Sequence, residues 1–398
     1  MNNVLPDNVE PTRDTPVPLR SAVNVDITDE GKVRSRSGYV VKSAATLAHS
    51  IYSLGGSGLC VVDNDLTFLN SSLQRTIVLA GVGGSPMSYT EAAGAVYLTN
   101  GAMTAMYRDG KVTSWGVETP TSSPTITLSG GILAAGDYLL TCTFVRDTGE
   151  ESGSNLPVVI SGVPAGSGLL LTNLPIPAAA DVTAVNVYMS AANGAVLYLV
   201  TQVAVGAIGD VVTGAEPQGA KLQTALLGPM PAGTSAATSR GRVFVAVGNV
   251  LWYSEPLRYG LCDASVDYML FPADIQLVVG LSTGLFIAAD KTYFWGGPDS
   301  LEPLRTVGEY TGVRNSVSYL PTTSDAIWLS SRGMAHGTLD GQVSLLTDGR
   351  LATKYSGHGS TLYRESAGIK QFIGTATETS PTVLVARDYM NATITRAT

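Results

Sequence analysis

The sequence predicts an all-β protein: a β-propeller of about six blades interrupted by a β-sandwich. Three observations predict it. Apolar residues alternate instead of recurring at helical spacing, as where Val23, Val25 and Ile27 interleave with Asn24, Asp26 and Thr28. That is the pattern of a half-buried strand. Glycine supplies 44 of 398 residues, well above the usual ~7%, so the chain turns often. Strand–turn–strand units also recur, most of them at roughly 40 residues, the period of propeller blades.

The first element is a strand over 22–27. The turn Asp29-Glu30-Gly31 follows, then a strand whose Lys32, Arg34 and Arg36 share one face. Hairpin units begin at Gly58 (GLCVVDNDLTFLN), Gly94 (GAVYLTNGAMTAMYRDG), Gly241 (GRVFVAVGNVLWYSEP) and Gly284 (GLFIAADKTYFWGGP). Two more begin at Asp325 (DAIWLSSRGMAHGTLDG) and Ile369 (IKQFIGTATETSPTVLVARDY). Each has an alternating apolar strand, a turn rich in Gly, Asn or Asp, and a returning strand.

A different pattern fills 118–219. Short runs such as GLLLTNLP, VTAVNVYMS and AVLYLVTQV, with turns every 8–12 residues, read as a sandwich of about seven strands. Pro120, Pro124, Pro217 and Gly219 punctuate its edges. The expected domains are therefore 1–117 (an N-terminal arm and the first blades), 118–219 (the inserted sandwich) and 220–398 (the remaining blades). The residues outside the sandwich, about 300, make six or seven blades at 40–50 each. Strands at 22–27 and 383–389 are expected to pair within one blade, removing two open edges; the alternative is an open propeller whose gap a neighbouring subunit covers.

Composition excludes several classes. Lys and Arg total 24 against 32 Asp and Glu, a formal charge of −8, and charged residues are only 14%. A dedicated nucleic-acid binder needs clustered cations that this chain lacks. At 44% hydrophobic the chain is not of the disordered class. The most apolar stretches, 197–215 and 275–289, are broken by Gln202, Asp210 and Gln276, so no membrane span is expected. The polar N-terminus has no apolar signal region. Cys60, Cys142 and Cys262 are odd in number and far apart, which reads as buried free thiols assembled in a reducing cytoplasm.

Chemistry is sparse. The three histidines, His49, His336 and His358, fall in no metal-binding spacing, and no GxSxG elbow exists. GVGGSP from Gly81 lacks the third glycine of a dinucleotide fingerprint and is expected to be a loop. The acidic run RDTGEES from Arg146 reads as a hairpin turn with Gly149 at positive φ, not as a paired-carboxylate site. No enzyme, metal or cofactor is expected. Lys32, Arg34 and Arg36 form the compact basic stripe, either a charged edge that resists aggregation or a contact strip for an acidic neighbour. Of Trp115, Trp252, Trp295 and Trp328, most are expected to pack between blades and one or two to anchor an interface.

In order, these motifs resemble tail proteins of tailed bacteriophages. PLRSAVNVDITDEGKVRSRSGY is similar to the opening strand–turn–strand of propeller proteins of short tails. AAGDYLLTCTFVRDTGEESG resembles their immunoglobulin/fibronectin-like insertion, and GRVFVAVGNVLWYSEPLRYG their later blades, with a W-Y-S-E-P hairpin. The likeness runs from about Pro18 to Gly312. Two departures stand out: the sandwich strands carry no Trp, leaving Tyr138 and Phe144 for that role, and the chain is short for a tail nozzle.

The resemblance implies a virion protein of the nozzle or hub type, assembled in the host cytoplasm as a ring, usually of six. Such a ring sits below the head-to-tail adaptor, docks other tail proteins or fibres, and lets genome DNA pass without specific binding. Six copies would carry six times −8, or −48, formal charges, which repel phosphates from a lumen. The candidate subunit-interface residues are Lys32, Arg34, Arg36, Trp252, Tyr253 and Tyr259. The alternative is a receptor- or glycan-binding propeller, with Trp252, Tyr253 and Tyr259 lining a pocket.

Overall fold

The computed structural model describes residues 25–27, 33–35, 41, 45–206, 211–213, 216–347, 355–366, 369–378, 385–386 and 392–394. Every regular element among them is a strand. Contacts divide the chain into two units: one from 1–112, 232–251 and 269–398, the other from 113–231 and 252–268. The second unit is wider than the expected 118–219, and it includes a separate later segment.

The first unit is a β-propeller. Its blades are antiparallel meanders in chain order. The first blade is Ala48–Ser53, Gly58–Val62, Asp65–Leu69 and Arg75–Leu79. The second is Ser88–Ala92, Ala95–Thr99, Thr104–Arg108 and Lys111–Thr113, and the third is Ser235–Ser239, Arg242–Val247, Val250–Tyr253 and Tyr268–Leu270. Leu277–Gly280, Leu285–Ala288, Thr292–Trp295 and Arg305–Gly308 make the fourth; Gly312–Tyr319, Ala326–Ser330, Gly333–Gly337 and Val343–Leu345 make the fifth.

Five of the expected hairpins are the middle two strands of these blades. That position explains why they were legible. Middle strands such as Gly58–Val62, Ala95–Thr99 and Ala326–Ser330 are buried throughout, so their residues are apolar except for Thr99 and Ser330 at the strand ends. Their turns carry the backbone signature of tight hairpins: Asp63 and Asn64 both have positive φ, 52° and 71°, as a two-residue turn of type I′ requires.

Five meanders are described where about six were expected. The sixth hairpin, from Ile369, follows another course. Tyr355–Ser366 and Ile369–Glu378 pair as one long antiparallel hairpin, and Tyr355–Ser366 joins the innermost strand of the fifth blade in parallel, with Arg314 opposite His358. Strands of 12 and 10 residues lack the turns needed to fold the same length into four short strands. The expected pairing of the two chain ends is not what the described residues form. Val25–Ile27 pairs with Val33–Ser35, and Val385–Ala386 with Ala392–Ile394.

Successive blades pack through aromatic and aliphatic clusters. Leu59, Val61 and Leu66 of the first blade meet Val96, Leu98 and Tyr107 of the second. Trp328 of the fifth blade, fully buried, lies 5.2 Å from Phe286 of the fourth. Trp295 meets Phe244 of the third blade edge-on at 6.1 Å. The innermost strands are joined differently, by small hydroxyls. Ser50 Oγ accepts the Met87 N–H (2.8 Å), Ser88 Oγ the Ala236 N–H (2.9 Å) and Ser235 Oγ the Val278 N–H (3.0 Å). Each bond links one blade to the next and satisfies a backbone donor that no strand ladder reaches.

The second unit is a two-sheet sandwich. Thr125–Leu133, Ser167–Thr172 and Val211–Thr213 form one sheet; Val158–Val163, Gly136–Arg146, Val182–Ser190 and Leu197–Ala204 form the other. Its core draws on both: Leu133, Leu169 and Leu171 face Leu140, Cys142, Val185 and Val187. Tyr138 and Phe144 are in that core, in the place where a Trp was absent from the sequence. The Tyr138 hydroxyl donates to Glu216 Oε1 at 2.7 Å, and burial pushes its phenol up to about 12. Cys60, Cys142 and Cys262 are free and buried. Burial raises all three thiols, Cys142 and Cys262 to about 12.

Candidate assembly surface of the sandwich

The run RDTGEES is a turn, as read from the sequence, and it also anchors a buried cation. Gly149 has φ +85°, and its N–H donates to the Arg146 carbonyl at 2.9 Å. Arg146 itself is 2% exposed. Its Nη1 meets Glu150 Oε2 at 2.7 Å, its Nε lies 2.7 Å from Asp181 Oδ2, and its Nη2 donates to Ser114 Oγ at 2.7 Å. Surrounding a guanidinium with two carboxylates and a hydroxyl offsets the cost of taking it out of water.

The neighbouring Glu151 serves the sheet. Its Oε1 accepts from Thr143 Oγ1 (2.5 Å), Asn186 Nδ2 (2.8 Å) and the Tyr188 hydroxyl (2.7 Å). With three donors committed to it, this carboxylate is a structural acceptor. The end of the motif is set by space: a Cβ on Gly153 would lie 1.6 Å from the Leu227 carbonyl oxygen, so no larger residue fits.

Two edges of the sandwich are bare. Thr125–Leu133 is the outer strand of its sheet and Val158–Val163 the outer strand of the other. Neither contains a charged residue. Leu128 is 55%, Ile132 78% and Val159 61% exposed, and Ile126, Leu128, Val158 and Ile160 line a groove where these strands run. Isolated proteins blunt such edges with lysine, proline or bulges. Here both outer strands have one irregularity and no lysine: between Gly130 and Leu133 in the first, and opposite Gly136–Tyr138 in the second.

The sequence-derived interface residues fall in three places. Lys32 and Arg36 lie outside the described residues; Arg34 stands opposite Asp26 in its strand pair. Trp252 packs against Tyr268 with ring centroids 5.5 Å apart. Tyr253 is tied to the same hairpin stem by its N–H to the Asp267 carbonyl (3.0 Å) and its hydroxyl to the Val266 carbonyl (3.1 Å). Tyr259 lies further along the loop. Its carbonyl accepts the Trp115 indole N–H at 2.8 Å, and it lines a pocket of about 200 Å³ with Trp115, Glu150, Glu151 and Arg258. Trp252 and Tyr253 do not line that pocket. The bare edges were missed by the sequence reading, although their signal was present: nine and six residues without a charge.

Comparison with known proteins adds little. No protein-family model matches the chain, and no curated protein does. Among solved structures, the chain is similar to one in the crystal structure of BBS1N in complex with ARL6DN, soaked with lead. That match has 10% identity, 82% of this chain and 87% of that one covered, and a TM-score of 0.32. It is also similar to Sqt1 of Saccharomyces cerevisiae, with 11% identity, 73% and 92% covered, and a TM-score of 0.19. Likenesses this loose reach neither function nor partner, and the fold stands on its strand order.

Proposed function

We propose that this chain is a structural, non-enzymatic subunit of a bacteriophage tail, of the nozzle or hub type, working as a ring of about six copies. The observation that carries this reading is the pair of bare, uncharged sandwich edges, with Leu128, Ile132 and Val159 open to solvent. A subunit whose residues are only 14% charged and whose edge strands carry no gatekeeping charge suits permanent burial against neighbours. The resemblance of its motifs, in order from Pro18 to Gly312, to those of tail proteins supports the same reading, which puts the ring in the virion, below the head-to-tail adaptor.

The mechanism is geometric. The propeller encloses a cavity of about 320 Å³, a size for a small molecule and not for a duplex. In this reading the DNA conduit therefore runs between subunits, and the net acidity of the ring keeps phosphates sliding. The test is native mass spectrometry of the purified chain, alone and with the adaptor ring. A species near six times 41.3 kDa, formed alone or on the adaptor, is expected. A chain that stays monomeric in both conditions overturns the proposal.

A further inference from the structure

The groove along the side of the sandwich restricts what can cover it. Its walls are two outer strands. Thr125–Gly130 stays in regular register with Ser167–Thr172 up to the break before Leu133, and Val158–Ile160 stays in register with Leu140 to Tyr138. Beyond those ladders, the backbone of 125–130 and of 158–160 makes no hydrogen bond among the described residues. One row of N–H and C=O groups is therefore open on each wall. The lining residues, Pro124 to Leu128 and Val158 to Ser161, include no charge. The fitting occupant is an extended, uncharged segment of about five residues with apolar side chains at alternate positions.

The sequence holds such a segment ahead of the first described strand. Residues 15–19 read Thr-Pro-Val-Pro-Leu, with no charge between Asp14 and Arg20. They lie outside the described residues, and their pattern alone carries meaning. In an extended chain, successive residues alternate in both side-chain face and hydrogen-bonding side. Pro16 and Pro18 therefore fall on one side, and Thr15, Val17 and Leu19 on the other. The second side keeps all its N–H donors; the first has lost them. A strand of this kind pairs with one neighbour and blocks the next, as a terminal edge strand must.

Its surroundings leave it available. The following hairpin, Val25–Ile27 with Val33–Ser35, is a sheet of two that no described blade strand extends. The six residues from Leu19 to Val25 allow the segment to stand off by up to about 20 Å. The uncharged stretch 379–386 is committed elsewhere, since its Val385–Ala386 pairs with Ala392–Ile394.

We propose that residues 15–19 of a second copy of this chain add as a strand to the Thr125–Gly130 edge. Val17 and Leu19 then cover Ile126 and Leu128, while Pro16 and Pro18 close the new edge. The choice of a second copy over the same one rests on the assembly reading above, in which neighbours cover the sandwich edges. Exchange of this kind is head-to-tail, so each copy gives one strand and receives one, as a closed ring requires.

The test is cysteine cross-linking of the full chain carrying Val17→Cys and Thr127→Cys. The three native thiols are buried and do not compete. Under mild oxidation, at a concentration where native mass spectrometry shows an assembly, a 17–127 link between separate chains is expected. A link within one chain, or none, overturns the proposal and leaves the ring standing. A ladder that stops at dimers supports the strand exchange and counts against six copies.

If the chain stays monomeric, the ring reading fails separately, and the groove is probed with a labelled peptide of residues 12–21. Saturable binding to the full chain, weakened about tenfold or more by Val17→Pro in the peptide and little by Pro16→Ala, supports the site. No saturable binding, or equal binding of the Val17→Pro peptide, overturns it.

Discussion

The two units solve the same problem, burying polar groups in an all-β chain, with different emphasis. In the propeller the polar burden is spread over many small hydroxyls. Ser50, Ser88 and Ser235 each accept one backbone N–H from the following blade, and Thr90 and Thr238 meet at 2.7 Å. The sandwich uses the same device, Ser152 Oγ accepting the Phe144 N–H and Ser190 Oγ the Leu139 N–H. It adds two charged groups: Arg146, ringed by Glu150, Asp181 and Ser114, and Glu151 with its three donors. The difference teaches that repetition allows redundancy. A repeated fold loses one of several similar links when a serine is changed, whereas the sandwich also depends on charged hubs that have no repeat, Arg146 foremost.

That contrast can be broken most directly at its hub. Arg146→Ala should cost the sandwich about 3–5 kcal/mol, because it leaves two carboxylates facing a vacated buried site. Calorimetric unfolding should show one transition lowered and the propeller transition in place. Equal lowering of both would mean that the units do not unfold separately.

A smaller effect is expected of the hydroxyl links. Ser88→Ala or Ser235→Ala should each cost about 1–3 kcal/mol by stranding a buried N–H. The two together should come close to the sum, since they join different blade pairs. A double variant far more destabilised than the sum would show the links to be one cooperative network, measured by urea unfolding.

The pH response should separate the units further. Burial holds His49 and His358 below 6.5 in the folded propeller, so the unfolded chain takes up protons first as pH falls. Stability from these groups is full above about 6.5 and is lost as pH drops through that value towards the lower folded ones. Unfolding midpoints from pH 8 to 5 should decline in the propeller transition, and His49→Gln should flatten part of that decline. The smallest effect on stability belongs to the sandwich edge. Ile132→Lys and Leu128→Lys should each change the unfolding free energy by no more than about 0.5 kcal/mol, yet weaken self-association in sedimentation runs.

Much of this was legible. The earlier middle strand of each blade is mostly apolar and bounded by Gly, Asn or Asp, so GLCVVDNDLTFLN and DAIWLSSRGMAHGTLDG announced themselves. The innermost strands did not. SYTEA and SAATS are small and polar because they face other strands and a cavity, and such residues look like loop in a linear pattern. The candidate sites were harder still. Trp252, Tyr253 and Tyr259 are close in sequence, but a turn of hairpin gives Tyr259 a different neighbourhood from the other two. Thr127 and Val159 are 32 positions apart in the chain, and only the placing of their strands at the rims of two sheets brings them to one groove.

By itself the sequence determined the class of fold, the presence of an inserted sandwich, the free state of its cysteines and the turn at RDTGEES. These follow from period-two patterning, turn residues and spacing, all of which act over a few neighbouring positions. Tertiary structure decided the rest: five meanders with a long hairpin added in parallel to the fifth, a cation buried at Arg146, and uncharged outer strands on the sandwich. Each of those depends on which strands become neighbours. Strand pairing is a choice among distant segments, made by the total burial and hydrogen bonding of the whole sheet, and no local pattern records it.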